Sequence, residues 1–107
     1  MEPKIARTIR STCLRLSVPE LIRNIDIQWF NGKRAIGGMS GYSGQFVMRL
    51  SKYFWPILSE QQRKEVIIHE VCHAVAHYKY GCGIRHGKKW KDLMRQCKAN
   101  PTRTMVI

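Results

Sequence analysis

A long stretch without glycine or proline, from Glu60 to Tyr80, constrains this sequence more than any other feature. Ser59 stands three residues before Gln62, the spacing of a capping box at a helix start. Gly81 follows the stretch directly, and glycine is the usual residue just beyond a helix end. We therefore predict one long helix over residues 60–80, against which the rest of the chain must pack.

Residues 69–73 within this helix read His-Glu-Val-Cys-His, an HExxH motif. Histidines four positions apart on a helix lie about 40° apart around it and about 6 Å apart along it, close enough to share one zinc ion. Glu70 projects on nearly the same side, where it can take a proton from a zinc-activated water and pass it to a leaving amine. We expect His69 and His73 to bind zinc and Glu70 to act as general base.

A helical wheel supports this placement, because a site needs a face that the core does not use. The wheel predicts an apolar side and an opposite side that carries the motif: Ile67, Ile68, Val71, Cys72, Ala74, Val75 and Tyr78 against Val66, His69, Glu70, His73, His77 and Tyr80.

A catalytic zinc usually has three protein ligands, and two histidines are candidates for the third. His77 continues the stripe but lies about 12 Å along the axis from His69, too far for a shared ion. His86 follows Gly81 and Gly83, where the chain can reverse and return over the helix. We expect His86 to be the third ligand and His77 to be a packing residue or a neighbour of the ligands.

The remaining segments predict an α+β domain. Apolar residues spaced three and four apart indicate an N-terminal helix from about Lys4 to Leu16, interrupted near Pro19. Alternation over Ile25–Trp29 predicts a strand ending in a hairpin turn at Asn31-Gly32. We predict a strand or bulge in the glycine-rich stretch 33–42 and another strand over residues 45–50. A last helix is predicted from near Gly87 to before Asn100-Pro101, and one of its faces carries Trp90, Leu93, Met94 and Cys97.

The charge points to polyanionic partners. The chain of 107 residues has 19 lysines and arginines against 7 acidic residues, a net charge of +12, and a pI near 10.1. Such an excess favours nucleic-acid binding through phosphates, without sequence preference, although it also serves solubility. No membrane helix or secretory signal is evident, so we expect a soluble, cytoplasmic protein, which we also expect to be monomeric. The four cysteines show no zinc-ribbon spacing, and we expect them to be reduced thiols: Cys13, Cys72, Cys82 and Cys97.

HEVCH followed by His86-Gly87-Lys88-Lys89-Trp90 resembles the HExxH and HGxxW pair of the SprT-like, or Spartan-like, metalloprotease domain. Arg34-Ala35, Gly41-Tyr42 and residues 47–51 are similar to its strand region, and Asn100-Pro101 to its end. The resemblance implies a minimal zincin-like domain with zinc on His69, His73 and His86, base catalysis by Glu70, and proteolysis of DNA-associated proteins such as DNA-protein crosslinks. Many relatives continue into a cysteine zinc ribbon, whereas we expect residues 1–107 to form a single domain without one.

Two functions therefore remain open. The first is a zinc-dependent endopeptidase that acts on DNA-associated proteins, using Glu70 as the base. The alternative is a non-enzymatic DNA-binding module with a structural zinc, which calls for a fourth protein ligand such as His77 or Cys82.

Overall fold

The computed structural model describes residues 2–81 and 83–101, apart from the side chain of Tyr42. The chain begins with helix α1, Pro3–Arg15, capped by the Glu2 side chain, which accepts hydrogen bonds from the amides of Lys4 and Ile5. One face of α1 is buried through residues spaced four, three and one apart: Ile5, Ile9, Thr12 and Cys13. The predicted N-terminal helix is thus confirmed, and a 3-10 helix at Pro19–Asn24 leads from it into the sheet.

Three strands form the sheet: β1 is Ile25–Phe30, β2 is Gly37–Tyr42 and β3 is Gln45–Ser51. Their order is β1-β3-β2, with β1 parallel to β3 and β2 antiparallel to it. Phe46, Met48 and Leu50 of β3 are fully buried, because this central strand packs one face against the core. The α+β class and the small sheet are as predicted, and β2 occupies an edge.

The predicted hairpin at Asn31-Gly32 is wrong. Residues 31–36 instead cross to the far side of β3, and the tight turn lies between β2 and β3 at Ser43-Gly44. Both turn residues have positive φ, 53° and 77°, which suits a two-residue turn that matches strand twist. Asn-Gly is a local signal, and strand order is decided by which apolar faces can be buried together.

Helix α2, Glu60–Tyr80, has the predicted bounds and capping box: Gln62 N donates to Ser59 Oγ and Ser59 N to Gln62 Oε1. It contacts α1, β2 and helix α3, Lys88–Gln96, so more than one of its faces is buried. The helical wheel misplaced Val66 for this reason, and it also misplaced Tyr78. Val66 is buried beside Gly37 of β2, and Tyr78 is exposed over the hairpin turn.

Helix α3 follows the prediction, with Trp90, Leu93 and Met94 buried in the common core. Cys13, Cys72 and Cys97 are free thiols, whereas Cys82 lies outside the described residues. Burial raises the pKa of the Cys13 thiol to about 11, so it packs as a neutral apolar group. Among the described helices, none combines the length and apolar character needed to cross a membrane.

Candidate metal centre

Three histidine side chains converge on one point beside α2. The Nε2 atoms are 3.2 Å apart for His69 and His73, 3.1 Å for His69 and His86, and 3.0 Å for His73 and His86. Two of these residues lie one helical turn apart on α2, and the third comes from the loop that follows. The structure therefore brings together the three residues named from the sequence as metal ligands, and the three could hold a metal ion.

The loop between α2 and α3 brings His86 back over the helix. Gly81 ends α2 with φ of 90°, and Gly83 has φ of 91°, conformations that residues with a Cβ seldom adopt. Gly87 then starts α3, and a Cβ there would lie 3.0 Å from the carbonyl oxygen of Ile84. Glycine thus supports the return of the chain at both ends of the loop, as the sequence indicated.

The arrangement of the three nitrogens fits zinc. Two nitrogens bound to one zinc at about 2.0–2.1 Å and a tetrahedral angle lie roughly 3.3–3.4 Å apart. The spacings of 3.0–3.2 Å are close to that value. Among the described residues the group consists of three imidazoles, and three protein ligands with one open position are typical of catalytic zinc sites.

Burial keeps the His69 and His73 rings in the neutral form, which has a free nitrogen lone pair. Burial lowers the pKa of His69 to about 4, helped by the charge of His86. Burial also lowers the pKa of His73 to about 3, helped by His69 and His86. At neutral pH both rings are uncharged, which is the form that binds a metal. Three imidazole rings with Nε2 atoms this close place nitrogen lone pairs or protons against one another, and a cation between them would relieve that conflict.

Trp90 of α3 contacts all three histidine rings. Its ring stacks on His73 with centroids 5.2 Å apart and planes inclined by 18°, and it meets His69 and His86 edge-on with centroids 4.7 Å away. Its Nε1 donates a hydrogen bond to the carbonyl oxygen of His69, 3.3 Å away. From the sequence we predicted only that Trp90 lies on the apolar face of the last helix. The signal in the sequence was the HGxxW motif, which places Trp90 in the first turn of α3, directly after the loop that carries His86.

Glu70 is 7% exposed and lies beside the histidines, with its Oε2 4.0 Å from His69 Nε2. Burial raises the pKa of this carboxyl to about 7, while the charge of Arg49 opposes the shift. A carboxyl with a pKa near neutrality can both accept and release a proton at physiological pH. Its position and protonation behaviour therefore suit the role of a general base.

His77 lies in the same cleft but apart from the three nitrogens. Its ring meets Phe46 of β3 edge-on, with centroids 5.5 Å apart. Within the described residues, the group able to hold a metal consists of His69, His73 and His86. The structure thus places His77 where the sequence suggested, on the wall near the ligands, and packs it against an aromatic ring.

An open cleft of about 680 Å³ leads to the metal centre. One side is formed by residues 34–40, which include the start of the edge strand β2, and the other by the loop residues 83–86. His69, Glu70 and His73 line the floor between them. The cleft is large enough to admit an extended peptide segment to the three histidines.

Comparison with known proteins assigns the chain to a family. Among curated protein sequences, none matches this chain. The model of the SprT-like family matches residues 8–106, nearly the whole chain, including both histidine motifs. This match covers the sheet, the cleft and the metal centre described above. The chain belongs to the SprT-like family, whose members have metalloprotease-like domains.

Proposed function

We propose that this protein is a zinc-dependent endopeptidase that acts on proteins associated with DNA. The observation that carries the proposal is the convergence of the Nε2 atoms of His69, His73 and His86 within 3.2 Å of one another, beside the buried carboxyl of Glu70. These groups line the floor of an open cleft. A metal centre with a base at its side and access for a polypeptide is what peptide hydrolysis requires.

His69, His73 and His86 would hold the zinc. When bound, zinc acts as a Lewis acid that makes water more acidic and stabilises negative charge on the carbonyl oxygen of the scissile bond. Glu70 takes a proton from the attacking water and transfers it to the departing amine. Trp90 keeps the imidazoles in place through ring contacts and its hydrogen bond to the His69 carbonyl.

The edge strand β2 offers backbone groups to an extended substrate. Ser51 N donates to Ile36 O, which makes Ile36 and Ser51 a hydrogen-bonded pair at the end of the antiparallel ladder. Because such pairs alternate along the ladder, the amides and carbonyls of Gly37 and Met39 point away from β3. Both residues line the cleft. A substrate strand can pair with them and so be laid across the metal centre.

The DNA-associated substrate is supported by charge. The net charge is +12, and two arginines, Arg34 and Arg85, line the cleft itself. Lysine and arginine side chains that contact DNA phosphates give affinity without recognising the base sequence. An enzyme bound to DNA in this way is concentrated near the proteins attached to that DNA. This substrate class agrees with the function implied by the resemblance of the two histidine motifs.

The alternative is a DNA-binding module in which zinc is structural. A closed structural site needs a fourth protein ligand, for which His77 and Cys82 were the candidates. His77 packs against Phe46 and is not part of the histidine group, and Cys82 lies outside the described residues. The buried Glu70 and the open cleft favour the enzyme, because a structural site uses neither.

Cleavage of a loosely folded protein, with and without DNA, tests the proposal. The comparison is between the wild type and Glu70→Gln, which keeps the shape of the side chain but removes the base. We expect the variant to retain zinc and to lose about 10²- to 10⁴-fold in rate, the usual contribution of general base catalysis.

Glu65→Gln is the matched control, because Glu65 lies on the same helix and contacts only Gln61 among the described hydrogen bonds. Its activity should equal that of the wild type. Full activity of Glu70→Gln would rule out the base mechanism, and absence of cleavage by zinc-loaded wild type would favour the binding module.

A further inference from the structure

Two groups of aromatic and basic side chains lie in and after the ends of β1 and β3: Trp29, Trp55 and Arg63 form one, and Lys33 and Tyr53 form the other. Trp29 is 38% exposed and Tyr53 is 51% exposed, so their rings are available to a partner. We call these side chains the aromatic–basic surface. It consists of three aromatic and three basic residues: Trp29, Tyr53 and Trp55, and Lys33, Lys52 and Arg63. The metal centre and its cleft use none of these side chains.

Each exposed aromatic ring in this surface has a basic or aromatic neighbour at contact distance. Lys33 Nζ lies 5.0 Å from the ring centroid of Tyr53. Trp29 meets Trp55 edge-on with centroids 5.7 Å apart, and the Arg63 guanidinium lies 5.5 Å from the Trp55 ring. Arg63 is held there by a 2.9 Å hydrogen bond from its Nε to the carbonyl oxygen of Trp55. The rings and charges therefore form pairs with defined positions.

Hydrogen bonds join the loops that carry these pairs. Ser51 Oγ donates to the carbonyl oxygen of Gly32 at 2.7 Å and accepts from the amide of Phe54 at 3.3 Å. The amide of Lys52 donates to the carbonyl oxygen of Phe30 at 2.9 Å. These bonds tie the loop after β1 to the loop after β3. The hydrogen bonds therefore hold the two loops, and the side chains they carry, in fixed positions relative to each other.

The chain segment that carries most of this surface, residues 27–59, has charges of one sign only. No acidic residue occurs between Asp26 and Glu60, whereas Lys33, Arg34, Arg49 and Lys52 fall within that interval. Glu60, the next acid along the chain, is already paired with Lys4 at 3.0 Å. Glu60 is also close enough to Arg63 to interact with it electrostatically, so the carboxylate nearest to this surface is shared between Lys4 and Arg63, and a polyanion would still meet an excess of cations here.

We propose that the aromatic–basic surface binds single-stranded nucleic acid. Exposed rings provide faces on which unpaired bases stack, and the neighbouring lysines and arginine contact the phosphates. A duplex presents phosphates but keeps its bases stacked inside, so it could use only the charges. Rings and charges together therefore favour a single strand over a duplex.

The surface lies next to the catalytic cleft, which connects it with the proposed function. Arg34, which directly follows Lys33, lines the cleft. Val66, which lies about one turn beyond Arg63 on α2, lines it as well. A strand bound on the aromatic–basic surface would hold an attached protein at the mouth of the cleft. This inference extends the proposed function, but the binding itself does not depend on peptidase activity.

Fluorescence anisotropy of the full chain tests the binding directly. The protein carries Glu70→Gln, so that no cleavage occurs, and the probes are oligothymidylate, oligouridylate and a duplex, each of about 12 nucleotides or base pairs, near the usual site size. We expect the single strands to bind more tightly than the duplex. Tyr53→Ala should weaken oligothymidylate binding roughly 5- to 100-fold, the range for loss of one stacked base.

A second tyrosine and lysine pair supplies the matched controls. Tyr80 is 46% exposed and Lys89 Nζ lies 4.8 Å from its ring, away from the aromatic–basic surface. Lys33→Gln and Lys89→Gln change the net charge equally, but only Lys33→Gln should reduce the salt dependence, by about 0.7 in the log–log slope for one lost phosphate contact. Tyr80→Ala should leave the affinity unchanged.

Three outcomes would overturn the inference. One is equal affinity for single strand and duplex, and another is equal loss for the Lys33 and Lys89 variants, which would make the binding a matter of net charge. The third is a dimer, measured by light scattering, that Tyr53→Ala converts to monomer, because the surface would then join two copies of the chain. Binding measured on Glu70→Gln stands or fails separately from proteolysis.

Discussion

Trp90 stacks on His73, with ring centroids 5.2 Å apart and ring planes inclined by 18°. The same indole is fully buried and donates its N–H to the carbonyl oxygen of His69. One side chain of α3 thus restrains the two histidines of α2 and also meets His86. The metal centre is therefore a joint product of both helices, and it can be tested from either one.

Trp90→Phe should weaken zinc binding about 10- to 100-fold, the usual effect of losing a residue that orients metal ligands. Phenylalanine keeps an aromatic ring beside the histidines but removes the hydrogen bond to His69. Zinc affinity measured by competition with a chelator checks this, alongside thermal unfolding of the metal-free protein. Trp29→Phe, at an exposed tryptophan, is the control. A variant with lower stability but unchanged zinc affinity would show that Trp90 only supports the core.

His86→Ala should abolish stoichiometric zinc binding, and His77→Ala should retain it. The reason is that His86 Nε2 lies 3.1 Å and 3.0 Å from the nitrogens of the other two histidines, whereas His77 packs on Phe46. Metal analysis after gel filtration decides between them, with one zinc per chain expected for the wild type. The opposite result, with zinc retained by His86→Ala and lost by His77→Ala, would reverse the ligand assignment.

DNA should stimulate proteolysis with little sequence preference, and the stimulation should fade as salt rises. The charge of +12 predicts binding through phosphates, which releases counterions and weakens steeply between about 50 and 200 mM salt. Cleavage rates and DNA affinity are measured across the same salt series. Cleavage that is indifferent to DNA at low salt would leave a general zinc peptidase whose charge serves solubility.

Ser59→Ala should lower the free energy of unfolding by about 0.5–2 kcal/mol, because it removes the oxygen that caps α2. Urea denaturation measures the change, and zinc content should stay at one per chain since the cap lies near the opposite end of the helix from His73. Ser11→Ala, at an exposed serine inside α1 whose hydroxyl donates to the Thr8 carbonyl, should change stability by less than about 0.5 kcal/mol. Equal effects of the two substitutions would argue against the capping box.

The sequence by itself determined the features that depend on local geometry. The bounds of α2 follow from the capping box and Gly81, and the proximity of His69 and His73 follows from their spacing of four on a helix. The return of His86 was also predictable, because glycines before it permit the reversal and the HGxxW motif resembles a known family. Each of these inferences depends on residues that lie close to one another in the sequence.

Only the tertiary structure decided how distant segments meet. The Asn31-Gly32 pair suggested a hairpin, yet β1 pairs in parallel with β3 and the turn lies at Ser43-Gly44. The helical wheel placed Val66 on the side of the motif, opposite the apolar side, yet Val66 is buried because β2 covers it. Trp90 contacts three histidines because α3 packs on α2. Such placements depend on which apolar surfaces bury one another, a property of the whole fold that no local spacing records.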